Sequence, residues 1–275
     1  MVLRKSLRPF GEPYPAFDGL PPVAALGLAS RGNTHLTGDD VANAIERGIG
    51  YLNWCGHDDG LAAAVRNLGA SERARVIIAT QLDARDADDA ERELDAMLET
   101  LGTDYLDVVT AYYLESDAEW RQIQGRAGAR TAIEAARSDG RVRRFGFTSH
   151  QRPLARDILD EGSVDVAMVR YNAAHRGAEA EIFHRALATP IVAFTCTRRG
   201  ALLEATDQTP AMSPPDCYRF ALAHPAVTVA LTAPNDRREL EANLATLDAP
   251  PPTEDELALW RRHGDRVRAT AGRFP

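Results

Sequence analysis

The sequence predicts a (β/α)8 barrel on three observations: eight short, β-rich apolar runs, helical patterns between them, and no glycine loop of the kind that serves open nucleotide-binding sheets. The runs fall at residues 23–29, 51–55, 76–82, 106–114, 142–149, 164–172, 190–196 and 227–233. Several are apolar on both faces, as parallel strands are when helices cover them outside and side chains fill the interior. Right-handed crossovers then make a closed barrel the economical arrangement, with a doubly wound open sheet as the structural alternative. Against that alternative, no GxGxxG follows the first run, and no GxxxxGK[ST] occurs in the chain.

The helices announce themselves by caps and spacing. Thr37 with Asp40 three residues on opens the first, Val41, Ala44 and Ile45 share its apolar face, and Gly48 and Gly50 stop it. Residues 86–102 place Ala90, Leu94, Met97, Leu98 and Leu101 at helical spacing, and 131–140, 177–188 and 236–247 follow suit. After the eighth run and its helix, Thr253 caps a further helix bearing Leu257, Leu259, Trp260 and Val267, with no strand to follow; it is expected over an end or flank of the barrel. No linker divides the chain, so residues 1–275 read as one domain, close to the roughly 250 residues usual for this fold.

Composition narrows the partners. The 32 basic and 40 acidic side chains leave a formal charge of −8, which disfavours a nucleic-acid surface and points to a small-molecule substrate. Residues 1–10 are basic but lead into a proline-rich stretch at 11–22 rather than an apolar signal core, and no apolar run approaches about 18 residues. Neither secretion nor a membrane span is expected, and the chain reads as cytoplasmic. Cys55, Cys196 and Cys217 have no ligand spacing, so neither a disulfide framework nor a metal site is expected. Cys55 and Cys196 read as small apolar packing residues.

In such barrels chemistry sits at the C-terminal ends of the strands. Those ends carry Ser30 and Arg31; Asn53, Trp54, Cys55 and His57; Gln81; Tyr112 and Tyr113; Thr148, Ser149 and His150; Arg170, Tyr171 and Asn172; Phe194, Thr195 and Cys196; and Thr232 through Asn235. The set is polar and aromatic, as a ligand pocket is and as barrel rims generally are.

Six segments, in order, resemble the aldo/keto reductase superfamily: AIERGIGYLNWCGHDDGLAAAV, LGTDYLDVVTAYY, GRVRRFGFTSH, VDVAMVRYNAAHRGAE, IVAFTCTRRGALL and VTVALTAPNDRRELEANL. The resemblance implies a barrel that binds NADP(H) and reduces carbonyls by hydride transfer, using a Tyr acid, a Lys paired to an Asp, and an orienting His. Here all four positions differ. Asn53 stands at the Asp position, His57 (or Asp58, with a different gap) at the Tyr, Gln81 at the Lys and Tyr112 at the His.

An ion pair thus becomes two neutral amides, and Asn53 and Gln81 are expected to lie close enough to hydrogen-bond directly or through one water. No cation remains to lower a phenol's pKa from about 10. His57, as an imidazole titrating near pH 6.5, is the candidate acid or base, with a polar loop residue as the alternative. Tyr112 is a candidate donor to a substrate oxygen, or an aromatic filling the mouth.

For the nicotinamide the matching positions are Thr148, Ser149, Met168 and Phe194, which keep hydroxyl and stacking groups and lack two amides. Arg237, Arg238 and Asn243 match the region for an adenosine 2'-phosphate, although Ala233 replaces a donor and Asp236 and Glu239 repel; a solvated helix start is the alternative. Trp54, Tyr113, His150, Arg170, His175 and Arg176 complete the candidate substrate contacts, the cations suiting an anionic or polyhydroxylated molecule unless they are solvated loop charges. Three functions follow: an NADP(H)-dependent oxidoreductase with altered proton-transfer groups, a silent barrel kept as a binding or scaffold module, and a cofactor-independent lyase or isomerase.

Overall fold

In the computed structural model, which describes residues 9–30, 35–184 and 188–270, eight parallel strands close into a barrel in sequence order. The chain runs β1 (Leu26–Ala29), α1 (Gly38–Glu46), β2 (Tyr51–Trp54), α2 (Gly60–Arg66), α3 (Ala70–Arg73), β3 (Ile77–Leu82), α4 (Ala87–Leu101), β4 (Leu106–Leu114), α5 (Asp117–Gln124) and α6 (Ala129–Ser138). It continues through β5 (Val142–Ser149), α7 (Arg152–Glu161), β6 (Val166–Arg170), α8 (Gly177–Glu181), β7 (Ile191–Phe194), α9 (Pro214–Ala223), β8 (Val227–Thr232), α10 (Arg237–Leu244) and α11 (Glu254–Thr270). No helix among the described residues is long and apolar enough to cross a membrane.

Each expected run contains a strand, and the caps explain several boundaries. Thr37 and Asp40 form a reciprocal capping box, Asp86 caps α4, and α4 ends at Gly102 in the left-handed region (φ 58°), where glycine carries no Cβ penalty. Two elements differ from expectation. Val23 pairs antiparallel with Tyr14, so β1 starts only at Leu26. The helix expected over 177–188 stops at Glu181, where Phe183 turns inward to meet Tyr171 edge-on at 4.8 Å and His224 at a tilt at 4.4 Å; Arg185, Ala186 and Leu187, like Arg31 at the first strand's end, lie outside the described residues.

Two apolar layers hold the barrel. Tyr51, Ile77, Val108, Val166, Met168, Val192 and Val229 fill its interior, while the alternate residues Leu52, Ile78, Val109, Phe145, Phe147 and Ala167 pack outward under the helices. Phe17 and Leu20 of the N-terminal segment join the interior cluster, Phe17 stacking on Tyr51 at 5.4 Å, and so cap the N-terminal end. At the other end α11 docks against the turn after β6. A Cβ on Gly264 would stand 2.1 Å from the Ala173 carbonyl oxygen, so only glycine permits this approach.

Near the N-terminal ends of β3, β4 and β5, the fully buried Asp107 joins three elements. Its carboxylate accepts from the Ile78 amide at 2.9 Å, from Arg73 at 2.8 Å and from Arg143 at 2.9 Å, and the two guanidinium groups sit 3.8 and 3.9 Å from the centre of the Tyr105 ring. A charge buried at this depth is tolerated only when it is fully partnered. Asp107→Ala should therefore lower the unfolding free energy by about 3–5 kcal/mol, because it leaves Arg73 buried without its counter-ion. Urea unfolding monitored by tryptophan fluorescence checks this; a loss below about 1 kcal/mol would show that water replaces the carboxylate.

Candidate active site

Strand register decides which residues reach the mouth. Side chains alternate, so Asn53, Gln81, Thr110, Thr148, Arg170 and Phe194 follow the interior residues Tyr51, Ala79, Val108, Gly146, Met168 and Val192 along the inward faces. On β4 the alternation breaks. Register with β5 shifts between Ala111 and Leu114, and Tyr113 adopts φ 51°, a conformation costly for a residue with a Cβ. The bulge presents Tyr112 and Tyr113 together at the mouth, their rings 5.7 Å apart. Arg85 fixes this turn by donating to the Tyr112 carbonyl at 2.7 Å, a role with no signal in the sequence.

Aromatic rings continue around the rim. Tyr113 lies 4.9 Å from His150, and His150 meets the edge of Phe194 at 5.1 Å. The Tyr112 phenol is pushed above its ordinary pKa, by burial first and then by Cys55, Asp83 and Tyr113. It is a neutral hydrogen-bond donor throughout the physiological range. His150 is pushed down to about 4 by burial and by the cations Arg170 and Arg199. His175 falls to about 4 for the same reasons, with Arg170, Arg198, Arg268 and Arg152 as its charged neighbours. Both imidazoles are uncharged at neutral pH.

Several expectations are corrected. Asn53 and Gln81 do not hydrogen-bond to each other among the described residues: Asn53 pairs in register with Ala79, one layer below Gln81, and its amide nitrogen turns to Cys55 Sγ at 3.5 Å. The Asn53 side-chain oxygen, Oδ1, is buried without a hydrogen-bond partner. His57 is exposed, its imidazole makes no hydrogen bond to Asn53, Gln81 or Tyr112, and only its backbone carbonyl is engaged, by Trp54 Nε1 at 2.6 Å. Asp58, the alternative at that position, is paired with Arg66 at 2.8 Å. Trp54 points outward into the layer beneath the helices rather than toward a substrate.

Ser149 shares the outward face of Phe145 and Phe147. Its hydroxyl donates to the Leu114 carbonyl at 2.7 Å and accepts from the Gln151 amide at 3.0 Å, which removes it from the mouth. Arg176 ties its turn to α11 through the Arg261 carbonyl at 3.1 Å and the Asp265 carboxylate at 2.8 Å. Tyr171 likewise donates to Glu179 at 2.7 Å and is buried. Cys55, read as a packing residue, is instead half-exposed beside Tyr112, whereas Cys196 is buried, its thiol pushed up to about 12 by desolvation.

Beyond β7 and β8 lies a cavity of about 510 Å³, lined among others by Arg199, Leu203, Pro214, Arg238, Ala242 and Asn243. The loop entering it is strained: Thr195, Arg198 and Arg199 all have φ near 55°. Asn243 is held there by its amide on Thr232 Oγ1 at 2.7 Å, the same hydroxyl that Tyr218 contacts at 2.8 Å. Arg237 does not line the cavity; it is exposed and reaches toward Asp40 of α1 at 3.8 Å. Thr148 faces the barrel interior near Thr110, and Met168 lies in the interior cluster below the mouth.

A closed parallel barrel with its polar residues gathered at the strand C-termini defines a barrel enzyme architecture, and comparison narrows it. A sequence profile of the aldo/keto reductase family matches residues 58–217, more than half of the chain. The chain belongs to the aldo/keto reductase family. No curated protein sequence matches it. Among solved structures, an aldo-keto reductase from Bacillus halodurans in its holo form is similar at 18% identity, TM-score 0.70, covering 92% of this chain and 95% of that one. An aldo/keto reductase from Klebsiella pneumoniae, in complex with NADP and acetate, is similar at 18% identity and TM-score 0.71, with 90% and 94% covered. A third, from Brucella melitensis, shares 13% identity at TM-score 0.69, with 94% and 98% covered. At these identities the likeness is one of fold.

The two depressed histidines make a test of the site's electrostatics. Between pH values of about 4 and 6.5 the unfolded chain binds protons at positions 150 and 175 that the folded chain does not, so stability should fall as pH drops through that window. Proton NMR of the imidazole C–H signals should give titration midpoints near 4 for both residues. Midpoints near 6.5 would mean that both rings are hydrated and that solvent screens Arg170 from them.

Proposed function

We propose that this chain is an oxidoreductase that binds NADP(H) and acts on a small carbonyl or hydroxyl compound, with Tyr112 as the proton-transfer group. The observation that carries the reading is the cavity beyond β7 and β8, lined by Arg199 and Arg238 and by Glu239, whose carboxylate is engaged by the Asn235 amide, in a chain of this family and at the barrel end where Tyr112 stands. The Klebsiella pneumoniae relative binds NADP, which agrees with it.

The residues present fit the nucleotide part of such a cofactor. Arg199 and Arg238 suit phosphate oxygens, and Leu203, Pro214 and Ala242 supply an apolar wall for a base. At the nicotinamide end the fit is leaner: Phe194 offers a ring and Thr148 a hydroxyl, while Ser149 is turned away and Met168 carries no amide. When bound, NADP(H) supplies or accepts the hydride. The Tyr112 phenol donates its proton to a substrate oxygen, and Arg85 holds the backbone from which it does so. With its pKa raised by burial and by Cys55, Asp83 and Tyr113, Tyr112 is a weaker acid than a lysine-assisted tyrosine, so turnover should be slow.

Two measurements test this. Nicotinamide fluorescence should show saturable NADPH binding below millimolar cofactor, weakened about tenfold or more by Arg238→Ala, since a charge-assisted hydrogen bond contributes about 1.5–3 kcal/mol; absence of binding at millimolar NADPH overturns the proposal. NADPH oxidation should stay level from about pH 6 to pH 9, as expected of an acid with a pKa above 10, and Tyr112→Phe should lower it about 10²- to 10⁴-fold. A rate that instead vanishes in His57→Ala and is unchanged in Tyr112→Phe would return the role to His57.

A further inference from the structure

We propose that Glu239 fits the cavity beyond β7 and β8 to an adenosine ribose with a free 2'-hydroxyl, so that NAD(H) serves this site at least as well as NADP(H). The selection rests on the reading above, in which this cavity takes the nucleotide part of the cofactor; what Glu239 adds is which dinucleotide the wall accepts.

Two neighbours on α10, Arg238 and Glu239, line the cavity with opposite charge. They are not held alike. Arg238 is exposed, so solvent screens its guanidinium, and settling on an anion costs its long side chain rotamer freedom. Glu239 is half-buried and fixed. Its Oε2 accepts from the Asn235 amide at 2.8 Å and from Asn235 Nδ2 at 3.2 Å, and its Oε1 from the same Nδ2 at 3.3 Å.

The start of a helix ordinarily favours a phosphate, because its unpaired amides and its dipole both suit an anion. At α10 the protein's own carboxylates take that place. Asp236 at the N-cap accepts from the Glu239 amide at 2.8 Å, and Glu239 accepts from the amide of Asn235, four residues earlier. Neither of these amides is left for a ligand, and two negative charges stand beside the helix start. Arg237, the other cation of this turn, reaches toward Asp40 and does not line the cavity. Deeper in the wall, Tyr218 and Asn243 direct a hydroxyl and an amide to Thr232 Oγ1 at 2.8 and 2.7 Å. A 2'-phosphate, with a charge of about −1.5 to −2 near neutral pH, therefore meets repulsion from Glu239 and few donors.

A ribose hydroxyl meets the same wall differently. A carboxylate has about four lone-pair sites, and Oε1 takes part only in the longest of the three contacts with Asn235, so it retains a site for an O–H donor. A hydroxyl donating to an ionised carboxylate makes a charge-assisted bond, stronger than one between neutral groups. The diphosphate common to both dinucleotides gives Arg199 and Arg238 an anion without any 2'-phosphate.

Calorimetric titration of the intact protein with ADP-ribose and with 2'-phospho-ADP-ribose tests this without a redox step. ADP-ribose should bind at least as tightly as its 2'-phosphate. Glu239→Gln keeps an acceptor for the Asn235 amide and removes the charge, and should shift the ratio of the two affinities toward the phosphorylated ligand by about tenfold or more. Glu239→Ala, which also removes the acceptor, should weaken ADP-ribose by about tenfold; circular dichroism checks that both variants fold. A wild type that prefers the 2'-phosphate by tenfold, or a ratio that Glu239→Gln does not move, overturns the inference and leaves the reductase reading intact.

In a second arm, NADH and NADPH are titrated by nicotinamide fluorescence and should follow the same order. Binding of none of the four ligands at millimolar concentration overturns the cavity reading and the inference with it. Binding of ADP-ribose that responds to Glu239 as expected, without oxidation of NADH or NADPH by 4-nitrobenzaldehyde, supports the inference and counts against the reductase reading.

Discussion

The strict alternation of side chains along strands that close into a barrel governs everything at the mouth. A residue at the end of a strand either rises into the cup or passes beneath a helix, and moving one position exchanges the two. Asn53 and Trp54 are neighbours in sequence, yet one stands over the barrel interior and the other joins the outer apolar layer. Thr148 and Ser149 divide in the same way. At the mouth end of β4 the rule is suspended, where the bulge and the positive φ of Tyr113 put two adjacent aromatic rings on the same side.

That constraint also explains what the sequence could and could not reveal. The strands were legible because β-rich runs recur at barrel spacing, and the capping pairs Thr37 with Asp40 and Thr253 with Glu256 are local chemistry within four residues. Membership of the mouth was legible to the same extent. The face each residue takes was not, because short apolar strands buried on both sides carry no polar alternation. Partners far along the chain were likewise hidden: Arg176 looked like a substrate contact, but its carboxylate partner is Asp265, 89 residues away. Phe183, which turns onto Tyr171 and His224 just past α8, depends on the same kind of remote contact.

Relative to the pattern that the family resemblance implies, charge has moved across the mouth. The β2 and β3 side, where that pattern has an Asp and Lys pair, here holds the two amides Asn53 and Gln81, which remain apart. Positive charge collects instead on the β6 and β7 side around Arg170, Arg198 and Arg199, where it adds to the larger effect of burial in keeping two histidines neutral. A phenol at Tyr112 lies between these halves. It has a polar, uncharged environment on one flank and an aromatic band leading to the cations on the other, an arrangement better suited to orienting a polar substrate than to activating a phenolate.

The glycine at position 264 gives the cationic side a mechanical coupling. Because the α11 backbone lies directly on the Ala173 carbonyl, and Arg176 grips α11 through Arg261 and Asp265, the turn after β6 is packed against the C-terminal helix as well as tied to the turn after β7 by Asn172. The amides of Ala174 and His175, which donate to Asn172 Oδ1 at 3.0 and 2.9 Å, are sealed by the same contact. Loosening the helix therefore removes contacts from the turn, and the two are expected to gain or lose protection from hydrogen exchange together.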